Sequence, residues 1–186
     1  ILMRSDPIEA KKFITDSIIK MCNGEFSHRM LEISKAYKQT ATELHNDAVL
    51  ACGKGTLKTE QPQMALIRKR RDRGDNSIQY NDRIKYIFVK IAASIEREIL
   101  KRTGRKTLTQ GDRVEDPDYI NEHSILIDYS HYITNQIQNP LTDILSIFEN
   151  GTEKQREKII HSFFETFVNE ETRKDYNLNK ILDFFE

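Results

Sequence analysis

The sequence predicts a mainly α-helical domain with a small β element, which is an α+β fold. Apolar residues recur at helical spacing near the amino terminus, as at Ala10, Ile14 and Ile18, and this spacing is typical of an amphipathic helix. Two shorter stretches, at residues 31–35 and 80–89, alternate apolar and polar residues, as half-buried strands do. Because helical spacing returns in most of the remaining chain, we expect a few strands within a helical domain.

The first helix has a recognisable start and end. Asp6 is suited to cap it, Pro7 fits its first turn, and Glu9 supplies an acid at the third position. Asn23-Gly24 is a stop signal. A short strand is then expected to finish near Lys35.

The middle of the chain alternates helices and breakers. Residues 38–50 indicate a moderate helix, and glycines and a proline between 51 and 63 indicate a loop. The stretch MALIRKRR predicts another helix, whose basic end suits the negative pole of a helix dipole. A turn at 74–76 leads into the alternating strand at 80–89.

Residues 92–102 return to helical spacing, and KRTGRKT follows as a basic turn. The segment GDRVEDPDY reads as a polar connection, in which we expect Glu115 and Asp116 to be solvated. A long helix is expected from Tyr129 to about Glu149, kinked or broken at Pro140.

A further helix carries an apolar and aromatic stripe that is expected to lie in the core. The stripe consists of Ile159, Ile160, Phe163, Phe164 and Phe167. The charged residues ETRKD then separate this helix from a short apolar tail, NLNKILDFFE.

Composition excludes several classes of protein. The two cysteines, Cys22 and Cys52, have neither disulfide-framework nor zinc-ligand spacing, which favours an intracellular, reducing compartment. No apolar run approaches the length of a membrane span, and the first residues do not resemble a signal peptide. The chain begins without methionine, so it is either processed or part of something larger.

No catalytic set emerges from the residues. The five histidines are scattered, and the GKGT stretch at 53–56 lacks the spacing of a phosphate-binding loop. The 186 residues have a net charge of zero, yet five of the six residues at 68–73 are basic. Charge gathered in one place suits nucleic-acid binding, whereas the plainer alternative is a solvated charged face.

Three stretches, in the right order, resemble family B DNA polymerases of the delta type. The first, LMRSDPIEAKKFITDSIIKMCNGEFSHRMLEISKAY, resembles the segment that leads from the palm into the thumb and ends in an I-T-K motif, here Ile33-Ser34-Lys35. The second, PQMALIRKRRDRGDNSIQYNDRIKYIFV, resembles a thumb block with R-D-x-G followed by G-D-R, here Asn81-Asp82-Arg83. The third carries E-D-P, then I-D-x-x-Y-Y-x-x-Q-x-x-x-P-L; its matching residues are Glu115-Asp116-Pro117, Ile127-Asp128, Tyr132, Gln136 and Pro140-Leu141.

The resemblance implies a thumb-type helical domain of a replicative, DNA-directed DNA polymerase. It implies three parts: residues 1–37 lead from the palm into the thumb, 38–150 form the thumb, and 151–186 form a carboxy-terminal helix and tail. The long stretch at 39–60, and the absence of cysteines after Cys52, resemble an enzyme of a large DNA virus. The parent enzyme would act in the nucleus or the host cytoplasm.

The resemblance also implies that catalysis belongs to another part of the parent enzyme. The palm of the parent enzyme would hold magnesium and the catalytic aspartates, so no catalytic residue, metal ligand or cofactor is expected in this chain. The partners implied are duplex primer-template DNA and the remainder of the polymerase, with no membrane. The alternative function is a non-catalytic helical module for protein interaction.

Seven basic residues are the candidates for DNA contact through backbone phosphates: Lys35, Arg68, Arg70, Arg71, Arg73, Arg83 and Lys85. For the run at 68–73 the alternative is a solvated charged face, and for Lys35 it is a surface lysine. In the tail, Ile181, Phe184 and Phe185 match half of the peptide pattern that binds sliding clamps, although Leu178 stands where that pattern has glutamine. The tail is therefore either a peptide for a processivity factor or a terminal helix that packs on its own domain.

Overall fold

The computed structural model describes residues 6–38, 41–52 and 61–185. The chain divides into two compact units. One consists of the chain up to Ser27 together with the chain from Asp128 onward, and the other runs from His28 to Ile127.

Helix α1, Pro7–Cys22, opens the first unit and confirms the predicted start and end. The Asp6 carboxylate accepts hydrogen bonds from the backbone amides of Ile8 and Glu9, which would otherwise lack partners. Its apolar positions are buried, as the spacing predicts; they are Ala10, Ile14, Ile18 and Met21. Lys11 forms an ion pair with Glu149, which ties this helix to the later part of the same unit.

The helix predicted after Tyr129 exists but is irregular. It consists of helix α6, Tyr129–His131, a π-helical stretch, Tyr132–Gln138, and helix α7, Asn139–Ser146. Pro140 has no amide hydrogen, and its ring clashes with the carbonyl four residues earlier. The predicted distortion is confirmed as the π-helical stretch before Pro140, which contains the one carbonyl that the missing proline amide would have bonded.

Helix α8, Glu153–Phe185, is a single helix of 33 residues. Ile160, Phe164 and Phe167 are buried, which confirms the predicted core stripe, although Ile159 is 46% exposed. The helical backbone continues through the charged residues at 170–175. The expectation that these residues separate the tail from the helix is therefore wrong: charged side chains such as Arg173 and Lys174 lie exposed on the helix surface and do not interrupt its backbone bonds.

The second unit contains a three-stranded antiparallel sheet. Its strands are β1, Ile33–Ala36, β2, Arg83–Phe88, and β3, Val114–Glu115, in that spatial order. The first two confirm the predicted strands. The third was not predicted, since two residues are too few to show an alternating pattern. In the register, Ser34 faces Lys85 and Lys35 faces Ile84.

Four helices accompany this sheet: α2, Ala41–Cys52; α3, Pro62–Asp72; α4, Ala93–Thr103; and α5, Pro117–His123. The first three correspond to predicted helices, whereas α5 begins inside the segment expected to be a polar connection. A 3-10 turn, His28–Met30, precedes the sheet. The core of the unit includes Leu66 and Ile67 of α3 and Tyr86 and Phe88 of β2, all almost fully buried.

The fold is mainly helical with a small sheet, which confirms the predicted class. The boundaries expected after residues 37 and 150 stay a prediction. Among the helices of residues 6–38, 41–52 and 61–185, none is both long enough and apolar enough to cross a membrane.

Candidate nucleic-acid interface

The basic run at 68–73 lies at the carboxy-terminal end of α3 and on the residue that follows it, and Lys69 points into the protein. Its ammonium group donates hydrogen bonds to the backbone carbonyls of Asp112, at 3.0 Å, and Val114, at 2.7 Å. Burial lowers the pKa of Lys69, while the charges of Glu115 and Asp112 partly oppose that shift. Lys69 therefore fastens α3 to the chain around β3.

Arg70 and Arg73 extend this connection through carboxylates. Arg70 donates from Nε to Asp75, at 2.7 Å, and from a terminal nitrogen to Asp116, at 3.1 Å. Arg73 donates to Glu115 at 2.8 Å, and its guanidinium lies 3.9 Å from the ring centroid of Tyr119. Burial alone would lower the pKa of Arg73, but the hydrogen bond and charge of Glu115 raise it.

These contacts correct the expectation for the two acids. Glu115 is only 8% exposed, and its carboxylate also accepts a hydrogen bond from the Asp116 amide. Asp116 caps α5 through the amides of Asp118 and Tyr119. Glu115 and Asp116 were expected to be solvated because neighbouring residues gave no sign of the arginines that lie more than 40 positions away in the sequence.

The other two arginines of the run differ from these. Arg71 is exposed; it donates to the Tyr37 hydroxyl at 3.2 Å, and its guanidinium lies 5.7 Å from that ring's centroid. Arg68 lies on the same helix and is partly exposed. Arg71 is therefore better placed than Lys69 to meet a ligand from solution.

Arg83 and Lys85 share one face of the β1–β2 pair, since residues two apart on a strand point the same way. Arg83 donates to the hydroxyl and the carbonyl of Ser34, at 3.1 and 3.2 Å. Lys85 pairs with Glu32 at 2.8 Å, and its side chain remains 61% exposed. Both cations are thus held in place while they face solvent.

Lys35 is exposed but lies on the other face of the strand pair from Arg83 and Lys85. Its partner in the register is Ile84, which alternates with those two residues along β2, and paired residues share a face. Strand β1 is at the edge of the sheet. The seven candidate residues therefore do not form one patch. Arg83 and Lys85 occupy one face, Lys35 and Arg71 belong to the side of Tyr37, and Arg70 and Arg73 are engaged by acids. The seventh, Arg68, is partly exposed on α3.

The sequence model of DNA polymerase family B matches residues 9–148, which is most of the chain. The chain belongs to DNA polymerase family B. The matched region covers both the candidate basic residues and the E-D-P segment that Arg70 and Arg73 contact.

Relatives of this family B chain include viral and cellular polymerases. It is 31% identical over 147 residues to the DNA polymerase of Pyramimonas orientalis virus, with 79% of this chain and 10% of that protein covered. It is 31% identical over 184 residues to the DNA polymerase of Acanthamoeba polyphaga mimivirus, with 95% and 9% covered. It is 32% identical over 98 residues to the DNA polymerase delta catalytic subunit of Caenorhabditis elegans, with 53% and 8% covered.

This family B chain spans about a tenth of the length of these curated relatives. The resemblance to delta-type and large-virus polymerases is confirmed. The DNA contacts of the seven basic residues stay a prediction. In the described part of the chain, no group of three or more His, Cys, Asp or Glu side chains is arranged to hold a metal ion.

The predicted clamp-binding residues Ile181, Phe184 and Phe185 have helical backbones within α8. Their side chains lie outside the described residues, so their role in partner binding stays a prediction. Sequence reasoning missed Tyr37 and Tyr80 beside the basic residues. Their rings meet edge to face, with centroids 6.3 Å apart. Aromatic residues interleaved with basic ones were the available signal.

Proposed function

We propose that this chain is the thumb of a replicative DNA-directed DNA polymerase and that it holds the primer-template duplex through its backbone phosphates. The observation that carries the proposal is the pair of exposed cations, Arg83 and Lys85, held side by side on one face of a sheet in a family B polymerase chain. Contacts to phosphates position a duplex without reading its sequence, as a general replicase requires.

Within this proposal, five of the seven basic residues have different duties at the duplex. Arg83 and Lys85 are the principal duplex contacts, since they are exposed and locally oriented. Arg68 supplements them from α3. Arg70 and Arg73 mainly hold the framework, and they reach phosphate only through donors that Asp75, Asp116 and Glu115 do not use.

Nucleotide transfer is proposed for the parent polymerase, with magnesium held by the carboxylates of its palm. The donor sets among the described residues do not fit such a site. No step of the transfer is therefore assigned to this chain. The remainder of the polymerase and a sliding clamp are its proposed protein partners.

Duplex binding by the 186-residue chain tests the proposal. We expect the affinity for a blunt duplex to fall steeply with salt and to be similar for unrelated sequences. Changing Arg83→Ala together with Lys85→Ala should weaken binding to every sequence alike. It should also flatten the salt dependence by about one log–log unit for each lost phosphate contact. Fluorescence anisotropy over a salt series measures both quantities.

The matched control is Lys12→Ala with Lys20→Ala, which removes the same charge from exposed positions on α1. If both double variants change affinity and salt slope equally, only net charge matters, and the sheet face is not the duplex contact. If the unaltered chain fails to bind duplex DNA at low salt, the helical protein-interaction module becomes the better function.

A further inference from the structure

Tyr80 is an exposed aromatic residue that the duplex contacts described above do not use. Its side chain is in the turn before β2, and the residue is 64% exposed. Its ring rests edge to face on Tyr37, which is only 7% exposed, with an interplanar angle of 63°. The buried Tyr37 ring therefore supports the exposed Tyr80 ring, which remains accessible to a ligand from solution.

The turn that carries Tyr80 is well braced. Asn81 adopts a left-handed conformation with φ of 72°, and its amide donates to the Tyr37 carbonyl at 3.0 Å. The Tyr37 amide donates to the Asp82 carbonyl at 2.7 Å, and the Asp82 carboxylate accepts from the Gln79 amide at 2.7 Å. These bonds continue the pairing of β1 with β2, so the orientation of Tyr80 is largely set before any ligand arrives.

Positive charge lies beside the two rings. The Arg71 guanidinium is 5.7 Å from the Tyr37 centroid, and Lys35 points to the same side of β1 as Tyr37 because it lies two residues earlier. Both cations are exposed. An open aromatic ring next to exposed cations combines a surface for base stacking with a surface for phosphates.

We propose that Tyr80 stacks on an unpaired base of single-stranded DNA, whose phosphates Lys35 and Arg71 attract. This inference rests on the proposed DNA-binding function. The bases inside a duplex already stack on one another, so a protruding ring has no base face to meet there. An unpaired strand offers such faces, and because every base has one, the contact does not depend on sequence.

The experiment uses the 186-residue chain, a single-stranded oligonucleotide with 2-aminopurine at successive positions, and a blunt duplex. We expect Tyr80→Ala to weaken single-strand binding roughly 5- to 150-fold, the range that loss of one stacked base produces. The 2-aminopurine quenching that we expect with the unaltered chain should disappear as well. Blunt-duplex affinity should remain unchanged, and Tyr80→Phe, which keeps the ring, should behave like the unaltered chain.

Phe13→Ala is the matched control, since Phe13 is an aromatic residue 60% exposed on α1 in the other unit. It should leave single-strand binding unchanged. Circular dichroism of each variant checks that the fold persists. If Tyr80→Ala unfolds, Tyr80→Phe still tests whether the aromatic ring alone is sufficient for single-strand binding.

Unchanged single-strand affinity and quenching in Tyr80→Ala would overturn the inference and leave the duplex proposal standing, provided that blunt-duplex binding and its salt slope are intact. An equal loss on single strand and blunt duplex would also overturn it, since Tyr80 would then contact the duplex. Absence of any DNA binding by the unaltered chain would remove both proposals together.

Discussion

Arg70 and Arg73 show that a basic residue in a DNA polymerase chain can serve the protein's own structure. Each donates to a carboxylate more than 40 residues later in the sequence, Asp116 and Glu115 respectively. The two arginines and the two acids thereby join the end of α3 to the start of α5. Because Glu115 is almost buried, removing Arg73 would leave its carboxylate without a hydrogen-bond partner that solvent cannot readily replace.

Replacing Arg73 should therefore destabilise the fold. Arg73→Ala leaves the Glu115 carboxylate without its arginine and removes the cation from the face of Tyr119. We expect the free energy of unfolding to fall by about 1–3 kcal/mol, a range reduced for the partial exposure of Arg73. Urea denaturation measures this change.

Arg73→Lys should recover only part of the loss, because an ammonium group keeps the charge but not the planar stacking surface. Arg97→Ala is the control, since Arg97 is exposed on α4 and donates within its own helix. Equal stability of Arg73→Ala and Arg97→Ala would show that the Glu115 contact contributes nothing.

Among the secondary-structure elements, the connection between α4 and β3 is held in its conformation by hydrogen bonds to the Asp112 carboxylate. Asp112 accepts two hydrogen bonds from Arg105, at 2.8 and 2.9 Å, and two from the amide and hydroxyl of Thr109, both at 2.7 Å. The same residue offers its carbonyl to Lys69. Asp112 thus organises the chain that leads into β3 and links it to α3.

This carboxylate predicts a pH dependence. Burial alone would raise the pKa of Asp112, but the bonds from Arg105 and Thr109 lower it below its ordinary 3.8. As pH falls, the unfolded chain therefore binds the proton first. The stabilisation by ionised Asp112 is complete above the unfolded-state pKa and is lost as pH falls through the folded-state pKa.

Asp112→Asn should accordingly cost about 1–2 kcal/mol near neutral pH, and the difference from the unaltered chain should shrink below about pH 4. Urea denaturation at a series of pH values measures this difference. Glu122→Gln, at an exposed position on α5, should give a small and flat difference. A constant gap between Asp112→Asn and the unaltered chain across the acid range would contradict the assignment.

At the scale of the whole molecule, the long helix α8 continues to Phe185. Deleting residues 178–186 separates the two interpretations of its end. A peptide for a processivity factor can be removed without loss of core contacts. We therefore expect the melting temperature to change little, while long-product synthesis by the parent polymerase with its processivity factor falls.

If the end of α8 instead packs on its own domain, the deletion should lower the melting temperature and leave long-product synthesis unchanged. Burial of one phenylalanine contributes roughly 1.5–3 kcal/mol, so its deletion would lower the melting temperature clearly. The 186-residue chain with both Phe184→Ala and Phe185→Ala tests the same point without shortening the helix. A clear loss of stability with unchanged long-product synthesis would rule out the clamp interpretation.

Local structure and family membership could be predicted without knowledge of the fold. The capped start of α1, its buried stripe, the strands β1 and β2, and the distortion associated with Pro140 all follow from short-range signals. Such signals act within about one helical turn or along one strand, so they are readable without the fold. The three motif blocks likewise identified the polymerase family.

Which basic residues face solvent could not be predicted in this way, because it depends on contacts between distant segments. Lys69, Arg70 and Arg71 are consecutive in sequence, yet they contact the carbonyls near β3, two carboxylates, and a tyrosine. Successive residues on a helix point in directions about 100° apart, and the partners of these three come from distant segments. The division of one basic run into internal anchors and exposed cations was therefore set by long-range packing.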